Sequence, residues 1–277
     1  MDTCQQYSVI LGGGGYGVVK TGIDYPDNTI AVKFLKQGCN DAKKEYITNR
    51  KVYDAYKIFL RCHYVSNISV VKPYEFVNGS TNIVCGDNTY SCLLKMERLF
   101  SPMKDGYAVH IAINGQMHVS QLNKLVMSGN VPRGYFYDSD HILKLIKGSM
   151  SLADVTYRIG VLDGICIFGA HYAPIDAEYI LTVNKEDELY VTMIDFGLFT
   201  PLEVTYDTYK SVASYISDAQ DDNLYYHPHS DEIPFEFVDE ARNAFIQGIS
   251  DAYNCFKSNN NESYDLLYKS LIELYLT

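Results

Sequence analysis

The chain has 277 residues, 47% hydrophobic and 21% charged, enough for a sizeable core in one two-lobed domain or two small ones. A formal charge of −11 argues against a nucleic-acid backbone or an anionic membrane as partner of the whole surface. Seven cysteines, at 4, 39, 62, 85, 92, 166 and 255, contain no C-x-x-C and no paired histidine spacing, which speaks against zinc and for free thiols in a reducing compartment, cytoplasmic or nuclear.

Met1 leads into polar residues rather than a signal peptide, and no apolar run approaches the roughly 18 residues a membrane span needs. The first hundred residues read mainly as strands: YSVILG, GVVKTGI, TIAVKFL, ISVVKPYEFV, TNIVCG and YSCLLKMERL. Turn residues separate them, DYPDN at 24–28 and VNGS at 77–80. One amphipathic stretch, from about Asp41 to Leu60, predicts a helix. YAVHIAINGQMHV, residues 107–119, predicts a hairpin turning at Asn114-Gly115. From Ser139 onward helical patterns dominate, with Ser151 as a cap and further helices over 236–257 and 262–276. The expected fold class is α+β in two lobes: a strand-rich front lobe (1–99) with one helix, and a mainly helical back lobe (100–277) with an inserted hairpin.

Gly12, Gly14 and Gly17, followed by Val18 and Val19, form a G-x-G-x-x-G run, and VVKTGI after it reads as strand rather than helix. That order suits a β-hairpin over a nucleotide's phosphates, where the lack of a Cβ lets backbone N–H groups approach oxygen. Ile30-Ala31-Val32-Lys33 is an apolar strand carrying one lysine, which needs a phosphate or a carboxylate if its side chain turns inward. The candidate carboxylate is Glu45 on the following helix. Leu93 to Leu99 is a further apolar strand running into a polar connector.

In these elements the front half resembles the protein kinase superfamily. The resemblance implies a two-lobed kinase-like fold binding ATP with Mg²⁺. Gly12, Gly14, Gly17 and Val19 would cover the phosphates, Ala31 would line the nucleotide pocket, and Lys33 would hold phosphate. Glu45 would be the partner of Lys33, Met96 the gatekeeper, and Glu97 to Leu99 the adenine-binding connector. Asp195-Phe196-Gly197, after the strand LYVTMI, resembles the metal-binding turn, which assigns Mg²⁺ to Asp195.

The back half departs from that pattern. When Glu178-Tyr179-Ile180-Leu181 is aligned with the end of a kinase catalytic loop, Pro174 takes the place of the catalytic aspartate. Tyr179 takes that of the metal-binding asparagine, and Tyr172 that of the histidine. Asp176 and Glu178 remain as candidate catalytic carboxylates, since two residues apart on an extended segment they share a face. His171 is a weaker base candidate. Residues 150–257 also resemble an uncharacterised, mostly fungal kinase-like domain family, through Asp176 to Leu181, Asp195-Phe196 and Asp222 to Pro228. They depart from it at Ile167, Phe168 and Ala173. Three functions are therefore open: an atypical kinase acting on a protein or a small molecule, a nucleotide-binding pseudokinase with a protein partner, and a scaffold that binds no nucleotide.

Overall fold

The computed structural model describes residues 7, 9–14, 17–22, 29–35, 38–62, 65–85, 88–102, 108–113, 117–120, 135–137, 150–224 and 238–276. Within them the chain is a mixed α+β structure with two large sheets and five α-helices. The first sheet holds β1 (Val9–Gly14), β2 (Gly17–Thr21), β3 (Ile30–Leu35), β5 (Pro73–Cys85) and β6 (Asn88–Glu97), in the order β1-β2-β3-β6-β5, with every pair antiparallel. Helix α1 (Cys39–Cys62) covers one face of it. Alternation along β3 explains the two-sided burial. Val32 and Phe34 pack with Tyr7, Val18, Tyr90 and Leu93 on one face, while Leu35 packs with Ala42, Cys92 and Leu94 on the other.

The segment read as one strand, ISVVKPYEFV, divides into β4 (Ile68–Val70) and β5. β4 leaves the first sheet and pairs in parallel with a later strand, because Ile68 and Val70 bury themselves in the larger core. The expected turn VNGS lies inside β5, where the register shifts between Asn78 and Ile83. An irregularity in one long strand thus takes the place of a chain reversal.

The second sheet runs β4-β12-β11-β7-β8-β9, where β7 is Ala108–Ile111, β8 Met117–Ser120, β9 Tyr135–Tyr137, β11 Glu178–Val183 and β12 Leu189–Ile194. The expected hairpin is therefore β7 with β8, in register from Ala108↔Ser120 to Ile111↔Met117, while its turn at Asn114-Gly115 lies outside the described residues. Far from standing apart, β7 pairs with β11, so the insertion widens the sheet. A back half that reads as mainly helical therefore carries most of a six-stranded sheet. A short two-stranded sheet, β10 (Tyr172–Ala173) with β13 (Thr200–Pro201), lies beside it.

Helices α2 (Leu152–Gly164), α3 (Tyr209–Leu224), α4 (Asp239–Phe256) and α5 (Glu262–Leu276) complete the fold, and α2 continues into a π-helical segment, Ile165–Ala170. α2 starts where Ser151 and Asp154 cap each other reciprocally, satisfying two amide groups that a helix start leaves unpaired. α2 and α4 pack backbone to backbone at Gly160 and Gly248: a Cβ on Gly160 would overlap the Phe245 carbonyl oxygen, and one on Gly248 the carbonyl oxygen of Tyr157. One large core joins the C-terminal half of α1, the buried face of the second sheet and these helices. No described helix is long and apolar enough to cross a membrane.

The expectation of free thiols is corrected at four positions. Cys39 is bonded to Cys92 and Cys62 to Cys255, while Cys166 is free and buried. Pairs separated by 53 and 193 residues become neighbours only through the fold, which is why spacing in the chain did not disclose them.

Candidate functional site

The site is built where the first sheet, α1 and the end of β12 meet. β1 and β2 form the glycine-rich hairpin, with Gly12 opposite Val19 and Gly14 opposite Gly17. Gly17 is required sterically, because a Cβ there would overlap the Phe34 carbonyl oxygen of the neighbouring strand. Residues 15 and 16 at the tip lie outside the described residues. Val19 is in register with Lys33, Lys33 with Leu94, and Ala31 with Met96. Cross-strand partners share a face, so Val19, Ala31, Lys33 and Met96 stand on the α1 side of the sheet. Met96 packs against both the small cluster under α1 and the large core, at the junction of the two.

Lys33 Nζ donates to Glu45 Oε1 at 2.8 Å and lies 3.5 Å from Asp195 Oδ2. Two carboxylates, one from α1 and one from the turn after β12, thus converge on one ammonium. Burial alone would lower the Lys33 pKa, but the Glu45 and Asp195 carboxylates outweigh it and hold the pKa above the ordinary lysine value. Burial pushes the Glu45 carboxyl up more than Lys33 pulls it down, and Asp195 adds to the rise. Two carboxylates on one ammonium leave the cluster with surplus negative charge. The 2.8 Å contact favours the ammonium–carboxylate form, and the surplus suits an added cation.

Asp195 and Asp176 both adopt left-handed backbone, each with φ 54°, a conformation in which a non-glycine residue is strained by about 1 kcal/mol or more. Asp195 Oδ1 accepts from the Gly197 N–H at 3.2 Å, a short turn that leaves Oδ2 toward Lys33. Asp176 feels this site: burial first, and the Asp195 charge second, raise its carboxyl above the ordinary value of 3.8. Because the folded value exceeds the unfolded one, the proton binds the folded chain more tightly. The stability contribution of this group is therefore present at low pH and is lost as pH rises from about 3.8 through the raised value. Asp176→Asn, which cannot ionise, should raise Tm at pH 7 without divalent cation, and the gain should vanish near pH 4. Thermal melts across pH check this, and millimolar Mg²⁺ should reverse the order of the two proteins.

Glu178 is placed differently. It opens β11 opposite Ile194, and its Oε2 lies 4.0 Å from His110 Nδ1. Along β11, Tyr179 and Leu181 are buried while Glu178 and Ile180 are partly open, so the strand turns Glu178 and Ile180 away from the core. His110 faces Ile180 in register and shares that open face. The sequence reading missed His110, although the pattern AVHIAI, with one polar residue between apolar neighbours, carries its signal. Of the two candidate carboxylates, Asp176 is within electrostatic reach of Asp195, and Glu178 lies 4.0 Å from His110.

The positions that would hold the usual catalytic groups are sealed. Pro174 and Ala173 are buried, and the Tyr179 hydroxyl donates to Asp163, which is wholly buried on α2. His171, left-handed with φ 60°, rests edge-on against Tyr264 with ring centroids 4.8 Å apart. Burial, then the Lys51 charge, lowers its pKa, so it packs as a neutral ring. In the connector, the Glu97 amide donates to the Lys72 carbonyl at 2.9 Å and the Arg98 amide to that of Thr29 at 2.8 Å. A ligand at Glu97 to Leu99 must therefore use other groups of that segment, which Phe100 ties to β11 through the Val183 amide. The histidines at 227 and 229 lie outside the described residues, as do most of the residues from Asp222 to Pro228 that carry part of the second resemblance. No family model matches the chain, and no curated protein is significantly similar to it.

Proposed function

We propose that this is a protein kinase-like, two-lobed ATP-binding protein of the pseudokinase type, which holds the nucleotide under the β1–β2 hairpin and acts through a protein partner. The observation that carries the reading is the contact of Lys33 with both Glu45, at 2.8 Å, and Asp195, at 3.5 Å. A lysine presented by a strand beside a glycine hairpin can neutralise phosphate oxygens, and a buried glutamate keeps it extended toward them. A structural sheet has no need of this combination, which argues against a scaffold that binds no nucleotide.

Mg²⁺ fits the residues present. Asp195 offers a hard carboxylate oxygen beside Lys33, and Asp176, whose carboxyl is raised first by burial and second by the charge of Asp195, lies within electrostatic reach of it. Among the described residues no cluster of three His, Cys, Asp or Glu side chains forms a complete cage. Mg²⁺ ordinarily completes its shell with phosphate oxygens and water, so two carboxylates suffice. The ion would neutralise charge between the phosphates; Lys33 would orient them, and Glu45 would hold Lys33.

The sealed positions at Pro174 and Tyr179 favour binding without the usual phosphoryl transfer. A second reading, transfer to a protein or small-molecule acceptor, is favoured by the influence of the Asp195 charge on the Asp176 carboxyl, whereas Glu178 is placed against His110, which makes Asp176 the candidate base. Thermal shift with ATP, with and without Mg²⁺, tests the binding reading. ATP at a hundredfold excess over its Kd should stabilise the wild type by about 2.7 kcal/mol, a rise of several degrees. Asp195→Ala should abolish the Mg²⁺-dependent part. No shift in the wild type at millimolar ATP would sink the nucleotide reading. Transfer of the γ-phosphate that disappears in Asp176→Ala while ATP binding persists would establish the second reading.

A further inference from the structure

α1 is bonded at both of its ends. Its first residue, Cys39, is joined to Cys92 on β6, and its last, Cys62, to Cys255 on α4. The two bonds hold regions with very different packing. The C-terminal half of the helix inserts Val52, Ala55 and Phe59 into the large core, and Ala55 and Phe256 both crowd against Gly169 of the π-helical segment. That half is fixed with or without a disulfide. The N-terminal half rests on a small cluster of Leu35, Ala42, Cys92 and Leu94, in which one member is itself the disulfide partner. Glu45 lies on this half, six residues or about 9 Å along the helix from Cys39. Cys92 in turn is opposite Leu35 of β3, two residues beyond Lys33. The Cys39–Cys92 bond therefore ties the helix end that carries Glu45 to the strands that carry its partner.

We propose that the Cys39–Cys92 disulfide is a redox switch on the nucleotide site, clamping α1 so that Glu45 holds Lys33 when oxidised and releasing that helix end when reduced. The proposal rests on the nucleotide reading above for its effect on ATP, but not for its effect on α1. Cys92 is fully buried, whereas Cys39 is partly exposed, so a reductant reaches the bond at Cys39. A thiolate of a dithiol reductant attacks Cys39 Sγ, and the sulfur–sulfur bond breaks with its electron pair on Cys92 Sγ, which takes up a proton. The second thiol of the reductant then displaces Cys39, which leaves as a thiol, and the reductant departs as a disulfide. Two electrons and two protons are transferred in all. Reoxidation by a disulfide of the same class runs the steps backwards. The Cys62–Cys255 bond serves the already packed end and is not part of the switch.

The test uses the full chain, oxidised with glutathione disulfide or reduced with dithiothreitol. Differential alkylation and mass spectrometry read the thiols, hydrogen exchange reads α1, and titration reads ATP. Oxidised protein should yield linked Cys39 and Cys92 peptides. On reduction, amide exchange should accelerate over residues 40–49 and stay unchanged over 52–60, and ATP affinity should fall about tenfold, a typical coupling between sites. Cys39→Ser should reproduce the reduced state under oxidising conditions, and the double change Cys62→Ser, Cys255→Ser should leave ATP affinity as in the wild type. Should the serine variant fail to fold, reduction of the wild type makes the same comparison. Unlinked Cys39 and Cys92 after oxidation, or equal exchange over 40–49 in the two states, overturns the switch. ATP that binds neither form defeats the nucleotide reading, while the exchange data still decide the clamp. ATP that binds both forms equally overturns the switch and leaves the nucleotide reading in place.

Discussion

Lys33→Ala is expected to remove ATP-dependent stabilisation altogether and to destabilise the unliganded protein as well. The ammonium is the shared partner of Glu45 and Asp195, with side chains of Lys33 and Glu45 only 13% and 10% exposed. Deleting it leaves Glu45 buried beside a second carboxylate. Breaking a buried pair in this way costs about 3 kcal/mol at the low end of the usual range, and Asp195, 41% exposed, is solvated enough to keep the cost there. For a chain of this size that corresponds to a fall in Tm of roughly 6–12 °C. Adding Glu45→Gln to Lys33→Ala should recover part of the loss, because a neutral amide does not need a counter-charge, while the ATP response stays absent. Calorimetry of the single and double variants, each with and without Mg²⁺–ATP, separates the two effects. A Lys33→Ala protein that melts with the wild type, or still responds to ATP, would contradict the role given to this cluster.

Gly160→Ala and Gly248→Ala should destabilise more than any surface change, although neither residue is near the site. Each lies where α2 and α4 approach backbone to backbone, so an added methyl meets a carbonyl oxygen rather than a movable side chain. The helices must separate, and because both belong to the large core the separation opens packing along their length. A loss of about 3 kcal/mol is expected for either, the upper part of the range for overpacking. Urea unfolding measures it, with Gly38→Ala as the control: nothing lies within 4 Å of a Cβ built there, so its midpoint should stay close to that of the wild type. Equal midpoints for Gly160→Ala and Gly38→Ala would mean that the close approach of the helices is not needed for stability.

The front half was the more legible in sequence because its signals are local. Alternating apolar residues marked β1, β2, β3 and β6, the amphipathic stretch marked α1 to within two residues at each end, and the last two helices lie close to where periodicity put them. The back half misled where pairing is long-range. β12 was legible as the strand LYVTMI, but its pairing with β4 and β11, and that of β11 with β7, joins segments far apart in the chain, so a six-stranded sheet was not legible there. α3 went unread because its polar composition hides a narrow apolar stripe, with Ala213 and Ile216 its buried members.

At the candidate site, a lone lysine in an apolar strand singled out Lys33 and, as its partner, Glu45 on the following helix, whereas Asp195 and Asp176 came from the kinase resemblance and the place where the chain departs from it. What only the tertiary structure decided was which carboxylate meets which partner. Glu45 and Asp195 meet at Lys33, Glu178 lies 4.0 Å from His110, and both ends of α1 are bonded through cysteines. The reason is physical: side-chain chemistry and periodicity belong to single residues and short segments, whereas charge coupling and disulfide bonding depend on distances of a few ångströms, and those are set by how sheets and helices pack.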